Sequence, residues 1–128
     1  HGFLSYLVKA SLKNKSYTLI GYKGKQVRDN IHSHDLVSCF WEFYKKPGCG
    51  EVYNTGGGRF SNCSIIEALN LVEKISKIKI SRKILKLNRV GDHVWYISNM
   101  NKFKKNYPEW KQKYSTAKII KELITKFS

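Results

Sequence analysis

Apolar residues recur three and four apart at Phe3, Leu4, Leu7, Val8 and Leu12, which predicts an opening helix from Gly2 to Lys13. Asn14-Lys15-Ser16 ends that run. Tyr17 to Ile20 reads as a short strand stopped by Gly21, and Gln26 to Ile31 as a second, with Gly24 between them at hairpin-like spacing. A helix is predicted from Ser33 to Lys46, with Leu36, Val37, Phe40, Trp41 and Tyr44 on its apolar face and Pro47-Gly48 as its stop. Glu51 to Thr55 reads as a strand. Gly56-Gly57-Gly58 leads from it to a helix whose start contains Ser64-x-x-Glu67, a capping-box pattern, and which runs to about Lys77. Residues 78–85 partly alternate and predict a half-exposed strand, and Val94 to Ile97 another. Asn99 caps a short helix, and Ser115 to Phe127 forms a last amphipathic helix with Ile119, Ile120, Leu123, Ile124 and Phe127 on its buried side.

Two Arg-bearing turns stand out from this frame. Arginine is scarce, at positions 28, 59, 82 and 89 against twenty lysines. A guanidinium fixed on a strand holds two phosphate or carboxylate oxygens at once, which a flexible lysine does less well. Arg28 with Asp29 fits a local ion pair or a capping arrangement equally well. Arg89-Val-Gly-Asp92 offers a second arginine and aspartate across a glycine turn, and the two segments flank the glycine loop, so together they suggest a clamp for a diphosphate.

Composition narrows the picture further. At 128 residues the chain has length for one domain or part of one. A net charge of +15 points toward nucleic acid. Its lysines, however, alternate with apolar residues at helix and strand spacing, as solvated faces do. Cys39, Cys49 and Cys63 have no metal-ligand spacing and an odd count, which favours reduced thiols in a cytoplasmic protein. No apolar run approaches the length needed to span a bilayer. His32, His34 and His93 lack the spacing of a metal site, and Cys63 lacks a base partner. Tyr107-x-x-x-Lys111 and Tyr114-x-x-x-Lys118 copy the spacing of a nicotinamide enzyme's catalytic pair, but roughly one such match arises by chance in a chain this rich in lysine.

Three segments carry a resemblance: Gly24-Lys-Gln-Val-Arg-Asp-Asn-Ile-His-Ser-x-Asp-Leu36, Gly50-Glu-Val-Tyr-Asn-x-Gly56 and Arg89-x-Gly-Asp92. In that order they resemble the C-terminal half of the extended short-chain dehydrogenases, the NAD-dependent sugar-nucleotide epimerases and dehydratases. Gly56 to Ser64, Gly91 to Ser98 and Tyr107-Pro-Glu-Trp110 are most similar to the branch that epimerises a CDP-linked sugar at C2. Asn99 departs from the aspartate of many relatives.

The resemblance implies an α/β fold: a mixed substrate-binding lobe over 1–128, with a strand-loop-helix at Glu51 to Thr55 joining the edge of a Rossmann sheet. The N-terminal Rossmann part would lie outside this chain, with the NAD site and the catalytic tyrosine and lysine. It implies that Arg28 and Arg89 contact the pyrophosphate and that Asp92 holds a ribose hydroxyl or orients Arg89. Thr18 and Ile20 would line the nucleobase, Gln26 and Asn30 would flank Arg28 as sugar or phosphate contacts, and Ser61 and Asn62 are further candidates. No catalytic, cofactor-binding or metal residue is expected here. The implied partner is a CDP-sugar or other nucleotide sugar, not nucleic acid or membrane. The whole enzyme is expected to be a cytoplasmic homo-oligomer of cell-surface polysaccharide synthesis that removes and returns a hydride. Two other readings stay open, a catalytically empty nucleotide-sugar-binding module and a basic nucleic-acid binder.

Overall fold

The structure, a computed structural model, describes residues 2–88 and 90–128. The elements in chain order are α1 (Phe3–Leu12), β1 (Tyr17–Ile20), β2 (Val27–Asp29), α2 (Ser33–Lys45), β3 (Asn62–Ser64), α3 (Ile65–Ser76), β4 (Arg82–Leu85), β5 (Trp95–Tyr96), α4 (Asn101–Asn106) and α5 (Thr116–Phe127). The lobe is mixed α/β, as the sequence resemblance implies.

Its main core forms where α1, α3 and α5 bring their apolar stripes together under β1. Leu7, Val8, Leu19, Leu69, Val72 and Ile120 are fully buried there. Burying each such side chain stabilises the fold by roughly 1.5–3 kcal/mol. A smaller cluster of Cys39, Met100, Phe103, Tyr107 and Trp110 ties α2 to α4 and the segment after it. Both tyrosines of the chance Tyr-x-x-x-Lys matches are used in packing. The Tyr107 hydroxyl donates to the Lys46 carbonyl at 3.0 Å, and the Tyr114 ring stacks on His32 with centroids 3.9 Å apart.

The strands form two small sheets. β1 pairs with β4 in parallel, Tyr17 opposite Arg82. β2 lies centrally in the other, antiparallel to β3 and parallel to β5. The hairpin expected between β1 and β2 therefore does not form. Gly21, Tyr22, Lys23 and Gly24 all have positive φ. That left-handed run swings the chain out of one sheet and into the other, and the Asn88 side chain holds it by accepting from the Tyr22 N–H at 3.0 Å.

Two further expectations are corrected. Glu51 to Thr55 is irregular: among the described residues it has no ladder partner, and a strand needs one. Tyr53 instead packs edge-on against Phe103 and Tyr107. The face assigned to α2 is also rotated. Phe40 is 59% and Trp41 57% exposed, with Val37 and Tyr44 exposed beside them, while Asp35 and Cys39 are buried. The reason is a buried carboxylate. Asp35 accepts from the backbone N–H groups of Lys113 and Tyr114 at 3.0 and 2.9 Å, and Trp110 Nε1 donates to Ser38 Oγ at 2.8 Å. These bonds turn the polar edge of α2 inward, where an unpaired carboxylate would be costly and a doubly bonded one is stable.

Candidate functional site

Local chemistry fixes the position of β2, the strand that carries Arg28. Ser64 ends β3 and caps α3: its Oγ accepts from the Glu67 N–H at 3.2 Å, and the Glu67 carboxylate accepts from the Ser64 N–H at 2.7 Å. The Ser64 hydroxyl adds a bond to the same carboxylate at 2.8 Å. The Ser64 backbone and hydroxyl donors hold the Glu67 carboxyl below its ordinary pKa. Because β3 is the antiparallel neighbour of β2, this cap holds Arg28 opposite Cys63.

Arg28 does not pair with Asp29. Its Nη1 donates to the Val27 carbonyl at 2.8 Å, and its Nη2 to Asp92 Oδ1 at 2.6 Å. Asp29 serves a different purpose, accepting from the Gly58 and Ser98 N–H groups at 2.8 and 3.0 Å. Asp92 thus orients Arg28. Arg89 lies outside the described residues, so its part in the clamp remains as implied by the sequence resemblance.

One cleft, of about 630 Å³, gathers Thr18, Ile20, Gln26, Arg28 and Asp92. β1 sends Leu19 into the core, so Thr18 and Ile20 fall on the cleft side of its pleat. Gln26 is 5% exposed; its Nε2 donates to the Ile20 carbonyl at 2.8 Å, whereas its Oε1 is buried and has no partner among the described residues. A buried amide oxygen left unpaired is uncommon and favours a donor brought by a ligand or by a turn of the amide. The cleft thus combines a held guanidinium, a carboxylate and an acceptor-bearing amide. Phe3, Tyr6 and Tyr17 also line it. α1 reads in sequence as a core helix, and the one signal is that Tyr6 falls off its buried stripe.

The other candidates sit elsewhere. Asn30 donates to the Arg28 carbonyl at 3.2 Å and lies 3.7 Å from Cys63 Sγ, bracing the strand pair from behind. The buried Ser61 hydroxyl is 3.2 Å from that of Thr116. Asn62 donates to the carbonyls of Gly58 and Arg59, both at 3.0 Å, and borders a larger hollow of about 900 Å³ with Trp95 and Lys104. That hollow holds Asn62 but none of the cleft residues.

The glycine loop is packed against its own chain. A Cβ at Gly56 would strike Asp29 and Ser98, and one at Gly57 would strike the backbone of Asn30 and Ser61. The Gly58 N–H is taken by Asp29, and the Gly56 N–H points at Met100 Sδ at 3.1 Å. Steric demand inside the lobe therefore accounts for Gly56 and Gly57 and a positive φ for Gly58, and Gly56 and Gly58 keep no free N–H for phosphate. Among the described residues no three His, Cys, Asp or Glu side chains are placed to hold a metal. Cys39 and Cys63 are buried, and Cys49 is exposed. Desolvation, reinforced by Asp35 and Glu42, pushes the Cys39 thiol up to about 12, and desolvation with Glu67 pushes Cys63 up to about 11.

Comparison with known proteins supplies the frame for this geometry. No protein-family profile matches the chain. It is 27% identical over 112 residues to the CDP-paratose 2-epimerase of Salmonella typhi, covering 86% of this chain and 32% of that protein. Among solved structures, it superposes with a TM-score of 0.78 on UDP-glucuronic acid 4-epimerase from Bacillus cereus in complex with UDP-glucuronic acid and NAD. That identity is 23%, over 95% of this chain and 39% of that one. The dTDP-glucose 4,6-dehydratase of Bacillus anthracis in complex with NAD gives 0.78 at 25% identity, over 97% and 38%. The fold is that of the C-terminal part of such epimerases. The chain thus spans about a third to two fifths of the length of the proteins it matches.

Proposed function

We propose that this chain is the C-terminal, substrate-anchoring part of an NAD-dependent nucleotide-sugar epimerase, with a CDP-linked sugar epimerised at C2 as its reaction. The observation that carries the reading is the convergence of Thr18, Ile20, Gln26, Arg28 and Asp92, scattered over 75 positions of sequence, on one cleft. The similarity to a CDP-paratose 2-epimerase favours cytidine as the base and C2 as the reacting carbon.

Arg28 does the anchoring. Asp92 holds one end of its guanidinium, which limits the rotamers lost when the remaining N–H groups engage a diphosphate. With the diphosphate fixed, the sugar can turn while its tether stays in place, which is catalysis by positioning. The glycine loop does not fit the pyrophosphate of a dinucleotide. Within it, the N–H groups of Gly56 and Gly58 are engaged, and the space beside Gly56 and Gly57 is filled by the Asp29 and Ser98 side chains and by the backbone of Asn30 and Ser61. NAD is accordingly assigned to the part of the relatives that this chain does not span, and the lobe alone is expected to turn over no substrate.

Isothermal titration with CDP, UDP and dTDP tests the anchor. CDP is expected to bind tightest, and Arg28→Ala to weaken it by roughly tenfold to a hundredfold, the worth of a charge-assisted bond. Wild-type affinity in Arg28→Ala would refute the assignment. The similarity to epimerases that carry NAD favours this reading over a catalytically empty module.

A further inference from the structure

The cleft has a second wall that the anchor does not use. α1 buries Leu4, Leu7 and Val8 against α3 and α5, and Tyr6 projects from the opposite side of the helix, 63% exposed. Its ring rests against that of Tyr17, with centroids 6.0 Å apart and planes inclined at 56°. Tyr17 is itself fixed, because its N–H donates to the Ser81 carbonyl at 2.8 Å and it opens β1 opposite Arg82. Phe3 and Ile20 extend the apolar margin, and Arg28, Gln26 and Asp92 line the same cleft.

A single exposed aromatic ring is ordinary. This one is braced by a second ring at the rim of a cleft that also holds an oriented guanidinium, so the two walls match the two halves of a nucleotide. We propose that Tyr6 is the shelf on which the base of the bound nucleotide stacks, with α1 recognising the base and β2 the diphosphate. The inference rests on reading the cleft as a nucleotide site. Every base has a π face, so stacking on Tyr6 separates nucleotides from plain diphosphates rather than one pyrimidine from another. The Tyr6 hydroxyl is not needed for this role; the ring is.

Titration of the full chain with CDP and with inorganic pyrophosphate decides it. Tyr6→Ala is expected to weaken CDP between roughly fivefold and a hundredfold and to leave pyrophosphate unchanged, with Tyr6→Phe within about twofold of wild type for both. Tyr6→Leu keeps apolar bulk without a π face and should resemble Tyr6→Ala. Retention of CDP affinity in Tyr6→Ala, or equal losses for CDP and pyrophosphate, would overturn the shelf while leaving the nucleotide site standing. Where pyrophosphate binds too weakly to measure, the contrast between the Ala and Phe variants with CDP decides. A wild-type chain that binds no CDP would overturn the nucleotide site and the shelf together. The exposure of Tyr6 predicts that these variants fold, which a thermal melt checks.

Discussion

Arg28 shows how one side chain acquires a role from partners far away in sequence. Its neighbour Asp29 is the obvious ion-pair partner, yet the strand pleat sends Asp29 toward the glycine loop, and the carboxylate that reaches Arg28 comes 64 positions later. The Arg28–Asp92 pair is partly exposed, so it contributes at most ~1 kcal/mol to stability. Its effect should appear in binding instead. Arg28→Lys keeps the charge but loses the planar fork, and we expect CDP affinity to fall severalfold with an unchanged melting temperature. Asp92→Asn should produce a smaller loss, since a neutral amide orients the guanidinium less firmly. Sequence made Arg28 and Asp92 legible as types and as neighbours of glycine turns. It could not show that Asp92 serves Arg28, because only the pairing of β2 with β5 brings the two segments together.

Helix α3 and helix α2 mark the limits of reading elements from periodicity. α3 was fully legible: its stripe, its capping serine and its Glu67 all reappear in the fold. Ser64→Ala should destabilise the lobe by about 1 kcal/mol, read from denaturant unfolding. The folded-state pKa of Glu67 is depressed, so its contribution is present at neutral pH and is lost as pH falls through and below the ordinary carboxylate range. The stability gap between wild type and Glu67→Gln should therefore close on acidification. For α2 the period was right and the phase wrong. Apolar side chains mark a face for burial only if something covers it, and here the backbone N–H groups of Lys113 and Tyr114 draw Asp35 inward instead. The outward face of Val37, Phe40, Trp41 and Tyr44 is an exposed apolar patch, and we expect it to drive self-association of the chain. Phe40→Ser with Trp41→Ser should shift the sedimentation profile of concentrated protein toward the monomer.

For the molecule as a whole, charge and anchor make separable predictions. The excess of positive charge, +15 over 128 residues, attracts polyanions without any site. Such binding to duplex DNA should collapse as salt rises from 50 to 200 mM, whereas CDP, held by an oriented guanidinium and apolar walls, should lose far less. A CDP affinity that follows the DNA salt slope would mean that the cleft adds nothing to bulk charge. The mixed α/β class and the order of the helices α1 to α5 were legible because the helical period is a local property, whereas β3 at Asn62–Ser64 is too short to show a pattern of its own. The separation into two sheets was not legible either, since it depends on a left-handed turn at Gly21 to Gly24 and on a parallel pairing between β1 and the distant β4. Glu51 to Thr55 carries the pattern of a strand but, among the described residues, has no neighbour to complete it, so pattern alone overestimated the sheet.

The three thiols turn this lobe into its own reporter. Cys39 and Cys63 are sealed in packing and hold their protons far above neutral pH, at about 12 and about 11, while Cys49 stands in solvent just past α2. Only a thiolate attacks an alkylating reagent. A maleimide dye at pH 7 should therefore mark the folded chain once, at the exposed Cys49, and a second or third label would time the opening of the two cores.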